Sequence, residues 1–156
     1  MDSTQYLEQA IHLAEENVKK GGGPFGAVIV RNGEIISEGA NSVTLTNDPT
    51  AHAEVVAIRT ACQKLNTFSL EGCVLYSSCE PCPMCMASSL WARVDKVFFA
   101  ADRYQAAQVG FDDLAFYDLF EKTPRDQWKT PVEHLNIKDA LSPFNEWNAK
   151  TDKVEY

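Results

Sequence analysis

A mixed α/β fold, one sheet with helices on both faces, is the fold class that this sequence predicts. Two observations lead there. Apolar residues at helical spacing alternate along the chain with short runs of strand-forming residues, and one pair of those runs is joined by a two-residue hairpin signal. With 156 residues, 45% of them hydrophobic, the chain can build one good core and is too short to suggest two domains, so residues 1–156 read as a single domain.

Taken in order, Tyr6, Leu7, Ala10, Ile11, Leu13, Ala14 and Val18 recur at helical spacing, which predicts an amphipathic helix near residues 3–20 that stops at Gly21-Gly22-Gly23. Ala27-Val-Ile-Val30 and Glu34-Ile-Ile-Ser37 flank Asn32-Gly33, the turn pair of a tight hairpin. A helix follows, with Asp48 as its expected N-cap, Pro49 at its first position and a largely buried face behind them in Ala53, Val55, Val56, Ala57 and Ile58. Cys73-Val-Leu-Tyr76 is an apolar strand leading into a helix opened by Pro83, and Lys96-Val-Phe-Phe-Ala100 is a further strand. Beyond residue 101 the pattern loosens, until Ser142-Pro143 supplies a cap and first position for a last helix carrying Phe144 and Trp147.

His52-Ala-Glu54 and Pro81-Cys82-Pro-Met-Cys85 carry the chemistry. An imidazole and two thiolates are three zinc ligands that leave the fourth tetrahedral position open, the arrangement of a catalytic site. Two thiolates cancel most of the metal's charge, so a proton acceptor beside it becomes necessary, and Glu54 fits that task as a shuttle and not as a ligand. This H-x-E…P-C-x-x-C pattern is the one carried by zinc deaminases of nucleobases. Residues two apart point to diverging faces of a helix, so His52 and Glu54 converge on one ion only near a helix start. Cys82 and Cys85 would likewise face the positive end of their helix, which favours thiolates.

Two other readings use some of the same residues. A strand followed by C-x-x-C and a helix also describes a thioredoxin-like redox motif, but that motif gives His52 and Glu54 nothing to do. Cys79, Cys82 and Cys85 with His52 could close a structural Cys3His site in a non-enzymatic binding module, which again leaves Glu54 without a task.

The formal charge is −8, with acids outnumbering bases 22 to 14 and no basic run. A protein that grips polynucleotide gathers Lys and Arg for phosphate contacts, so this balance argues for a small uncharged substrate and against nucleic acid. No stretch approaches the roughly 20 apolar residues that span a bilayer, and the acidic, helical N-terminus has no signal-peptide core; no membrane partner is expected, and the location expected is cytoplasmic. Cys62, Cys73 and Cys79 are then free thiols of a reducing compartment.

With these residues in hand, the chain resembles the cytidine deaminase-like superfamily of zinc deaminases, and within it the guanine deaminase branch. Gly22-Gly-Pro-Phe-Gly-Ala-Val-Ile29, Asn47-Asp-Pro-Thr-Ala-His-Ala-Glu54 and Ser78-Cys-Glu-Pro-Cys-Pro-Met-Cys85 are shared with tRNA adenosine deaminases, whereas Gly110-Phe-Asp-Asp113, Leu141-Ser-Pro-Phe144 and the terminal Glu155-Tyr156 resemble guanine deaminases. The resemblance implies a three-layer α/β/α sandwich around a five-stranded mixed sheet, one zinc ion per subunit, and deamination of guanine to xanthine and ammonia. It implies a homodimer in which the C-terminal segment, about 138–156, is exchanged between subunits. It also implies Asn41 on the purine's carbonyl edge, Phe25 against the ring face, Asp113 as an acceptor for the guanine N–H groups and proton carrier to the leaving amine, and Tyr156 as lid and ligand contact.

Each of these residues has an alternative: Asn41 turning its loop, Phe25 as core, Asp112 as the functional acid in place of Asp113 or both acids merely capping the next helix, and Tyr156 as a frayed end. The alternative substrates are adenosine in tRNA and another amino-heterocycle such as ammeline.

Overall fold

The computed structural model describes residues 1–156. Helix α1 (Ser3–Lys19) begins with a reciprocal cap: the Asp2 carboxylate accepts from the Gln5 N–H at 3.0 Å, and the Gln5 side chain accepts from the Asp2 N–H at 2.8 Å. Strands β1 (Gly26–Arg31) and β2 (Glu34–Ala40) pair antiparallel around Asn32 and Gly33, whose φ values of 51° and 80° are the two left-handed conformations that a type I′ hairpin needs. After the one-turn helix α2 (Val43–Thr46) come α3 (Ala53–Leu65), β3 (Cys73–Cys79), α4 (Pro83–Trp91) and β4 (Lys96–Ala101). Helices α5 (Arg103–Gln108), α6 (Asp113–Lys122) and α7 (Ser142–Ala149) complete the chain.

The sheet has the order β2-β1-β3-β4, with β3 antiparallel to β1 and parallel to β4. Because side chains alternate across a strand, β1 feeds two cores. Ala27 and Ile29 join Leu75 and the α3 residues Ala53, Ala57 and Ala61 on one face, while Val28 and Val30 join Tyr6, Ala10 and Tyr76 under α1 on the other. Full burial of Ile29, Leu70 and Leu75 stabilises the fold by about 1.5–3 kcal/mol for each side chain. The Ser37 hydroxyl, donating to the Ala57 carbonyl at 2.7 Å, ties α3 to β2. These are the three layers expected.

Three local expectations need correction. The sheet has four strands, not five. At the end of β4 Asp102 caps α5, its carboxylate accepting from the Gln105 N–H at 2.9 Å while the Gln105 side chain accepts from the Asp102 N–H at 2.9 Å. This box turns the chain into helix at once, and β4 is left with an unpaired outer edge. Asp48 does not cap α3: its carboxylate accepts from the Thr50 N–H at 2.9 Å and the Thr50 hydroxyl at 2.7 Å, closing a turn ahead of the N-cap residue His52. Ser142 is the first residue of α7 rather than its cap, and Leu141 stands at the cap position without a side-chain bond.

No helix is long and apolar enough to cross a membrane. All five cysteines are free thiols.

Candidate active site

The His52-x-Glu54 and Cys82-x-x-Cys85 segments meet because α3 and α4 both start at the same end of the sheet. His52 occupies the N-cap position of α3 and Cys82 that of α4, both in extended backbone, with Pro83 at the head of α4. His52 Nδ1 lies 3.6 Å from Cys82 Sγ and 3.5 Å from Cys85 Sγ, and ligand atoms of all three residues fall within 4.8 Å of one another. Ligand nitrogen and sulfur on one tetrahedral zinc stand about 3.6 Å apart, given bond lengths near 2.1 and 2.3 Å. The spacing therefore fits a shared zinc ion, and the donor set fits one with an open position. Cys79 is outside the cluster, its Sγ directed at the Asp102 carbonyl at 3.9 Å, so the Cys3His alternative has no fourth ligand.

Electrostatics distinguish the thiols. Cys82 is held far below the usual thiol range, first by the hydrogen bond from the Cys85 thiol and then by His52. As donor in that pair, and by burial, Cys85 is pushed up; coordination to a metal would deprotonate it outright. Cys79, buried near the Asp113 and Glu54 carboxyls, is pushed up to about 12, as befits an inert structural thiol. His52 is raised, chiefly by its hydrogen bond to Cys82.

Glu54 is 5% exposed and points inward beside the cluster. Its carboxyl is pushed up by burial, while Cys85 and Ser77 pull it down. Ser77, on β3 and itself buried, donates to Glu54 Oε1 at 2.6 Å. A carboxyl raised toward neutrality and held in one orientation can both take and give a proton. Asp113 opens α6, half-buried and close enough to feel the charge of Cys82 and His52; burial first, and Cys82 second, push it up. Asp112 is exposed and makes no capping bond. Of the two acids, Asp113 is the one brought to the site.

Asn41 is buried at the end of β2, and its side-chain oxygen accepts from the Val43 N–H at 3.2 Å. The loop-turning role is thus real, and it leaves the amide nitrogen free. Phe25 is half-buried, packs on the core, and meets Phe111 edge-on at 4.8 Å between ring centroids. Tyr156 is not brought to the site of its own chain. It is 77% exposed and lies 6.0 Å from Trp91 and 6.5 Å from Phe68, at the C-terminal ends of α4 and α3. Nine helical residues, about 13 Å, separate that position from Cys82.

Two groups beside the cluster escaped the sequence reading. One is Ser77, visible only as a serine inside an apolar strand. The other is an ion pair below the cysteine loop, where Arg103 meets both Glu80 oxygens, with Nη2–Oε2 at 3.0 Å and Nε–Oε1 at 3.2 Å. Its guanidinium lies 3.4 Å over the ring of Tyr117, whose hydroxyl donates to the Pro81 carbonyl. This network clamps the residues just before Cys82 to α5 and α6.

Residues 1–101 match the family model described as the cytidine and deoxycytidylate deaminase zinc-binding region. The chain is 49% identical to a guanine deaminase of Bacillus subtilis over the full length of both. It is 48% identical to a tRNA-specific adenosine deaminase of Aquifex aeolicus over 65% of this chain and 67% of that one. Among solved structures, that of a guanine deaminase from Bacillus subtilis superposes with a TM-score of 0.96 at 49% identity, covering 100% of this chain and 99% of that one. One of a guanine deaminase from Nitrosomonas europaea gives a TM-score of 0.66 at 31% identity, covering 69% and 63%.

Proposed function

Because this chain belongs to the cytidine and deoxycytidylate deaminase family of zinc enzymes, we propose that it hydrolyses guanine to xanthine and ammonia. The observation that carries the substrate is the 49% identity to a guanine deaminase over the full length of both chains, which includes the α5–α7 region where Asp113 lies.

His52, Cys82 and Cys85 would hold the zinc ion, which would supply a Lewis acid that lowers the pKa of a water molecule. Glu54 takes the proton of the attacking water as its oxygen bonds to C2, and delivers it to ring N3. It then carries the second proton to the 2-amino group, the C2–N bond breaks, and ammonia leaves. Burial pushes the Glu54 carboxyl up, and the Ser77 hydroxyl, donating to Oε1, keeps it aimed. Asp113 accepts from the N1 and 2-amino N–H groups and assists the departing amine. The free amide nitrogen of Asn41 donates to O6, and Phe25, backed by Phe111, covers one ring face.

We further infer a cytoplasmic homodimer in which residues near 138–156 cross to the partner subunit. Leu141 and Phe144 are exposed, β4 has a free edge, and Tyr156 lies away from the His52 cluster of its own chain. A partner's tail would bring Tyr156 to the site as a lid that excludes water.

Ammonia release by the zinc-loaded protein, offered guanine, adenine, cytosine, guanosine and ammeline in parallel, tests the substrate. Release from guanine that disappears in Glu54→Gln supports the reading; release from none of these would move the assay to tRNA.

A further inference from the structure

We propose that Asn17, on the last turn of α1, is a positioning residue for Asn41 and thereby sets how firmly the site holds a 6-oxopurine. This rests on the guanine reading above. Asn17 is buried, yet its amide serves no bond within its own helix. Its Nδ2 donates both protons outward, to the Asn41 carbonyl at 2.8 Å and to the Gly23 carbonyl at 2.8 Å. Burying an amide is unfavourable unless it is fully paired, and an apolar side chain would pack this helix face at less cost.

The consequence falls on Asn41. Its N–H donates to the Phe25 carbonyl at 3.2 Å, its carbonyl accepts from Asn17, and its side-chain oxygen accepts from the Val43 N–H at 3.2 Å. With these three groups engaged, the Nδ2 amide is the donor that stays available, and its direction is fixed by the other bonds. The neighbouring chain makes room for this arrangement. A Cβ at Gly22 would collide with the Asn17 amide, and one at Gly23 would come within 3.1 Å of Asn41 Cγ. Asn17 therefore links the loop before β1, which carries Phe25, to the end of β2, which carries Asn41. An aimed N–H donor pairs with a 6-oxo group and not with a 6-amino group.

A double-mutant cycle tests this, with guanine kcat/KM measured at full zinc occupancy and melting temperature recorded alongside. Asn17→Ala, and the milder Asn17→Ser should the first variant fold poorly, should lower kcat/KM for guanine about tenfold, mainly through KM. Added to Asn41→Ala, the same change should lower it less than about twofold, because the amide it positions is gone. The affinity for unreactive hypoxanthine, a 6-oxopurine, provides the same cycle if Asn41→Ala turns over too slowly. Equal losses in both backgrounds would make Asn17 a merely structural residue and overturn the proposal. A parent protein that neither deaminates guanine nor binds hypoxanthine would instead overturn the substrate reading on which it rests.

Discussion

Ser77 Oγ donates a 2.6 Å hydrogen bond to Glu54 Oε1, joining β3 to the first turn of α3 between two buried side chains. The bond favours the charged carboxylate and opposes the burial that pushes Glu54 up. A base acts only when deprotonated, so activity falls as pH drops through the pKa of Glu54. Removing the Ser77 hydroxyl should raise that pKa further and move the acid limb of kcat/KM to higher pH. Ser77→Ala should lower kcat about three- to tenfold near neutrality, with zinc content unchanged. A pH–rate profile that coincides with the parent's would dismiss this role.

Glu54→Gln keeps the volume and loses the shuttle. Activity should fall by about 10²–10⁴ while one zinc per chain stays bound, since Glu54 is not among the three ligands. Zinc analysis and ammonia release on the same sample decide it.

The ligand set was legible because it is local: Cys82 and Cys85 are three residues apart at a helix start that Pro83 announces, and His52 stands at the start of α3, although the sequence placed that start at Asp48-Pro49. Ser77, Asn17 and Arg103 were not legible, since each acts on a residue more than twenty positions away through contacts that only the assembled sheet creates. Asp48-Pro49 misled for a different reason. Asp before Pro suits a tight turn as well as a cap, and the Thr50 hydroxyl and N–H tip the balance to the turn. A fifth strand came from resemblance alone: no segment after α5 pairs with the outer edge of β4.

Cys79 and the two ligand cysteines should separate cleanly. Cys79→Ala should retain zinc and most activity, whereas Cys82→Ala or Cys85→Ala should lose both. A chelator should inactivate the parent, and added zinc should restore it. Loss of zinc from Cys79→Ala would revive a closed four-ligand site.

The Glu80–Arg103 pair gives a pH signature in stability. Hydrogen bonds from Arg103 hold the Glu80 carboxyl below the usual glutamate range. A lowered folded pKa contributes stability that is present above the ordinary value of about 4.3 and lost as pH falls through the folded one. Urea unfolding should therefore show the parent more stable than Glu80→Gln at pH 7, with the gap closing toward pH 3. A gap independent of pH would remove the ionic part of the argument.

The tail makes the sharpest prediction, because Tyr156 lies at the wrong end of α4 to serve its own chain's cluster. If the segment crosses to the partner, a chain lacking residues 153–156 has an intact Glu54 and no lid, while Glu54→Gln has an intact lid and no shuttle. Each homodimer should turn over guanine poorly. Unfolded together and refolded as a mixture, they should form mixed dimers in which the truncated chain's site receives the other chain's tail. Half of the dimers from an equal mixture would be mixed, with one competent site each, so about a quarter of the parent activity should return. Activity no greater than the average of the two inactive samples would show that the tail does not serve the partner's site.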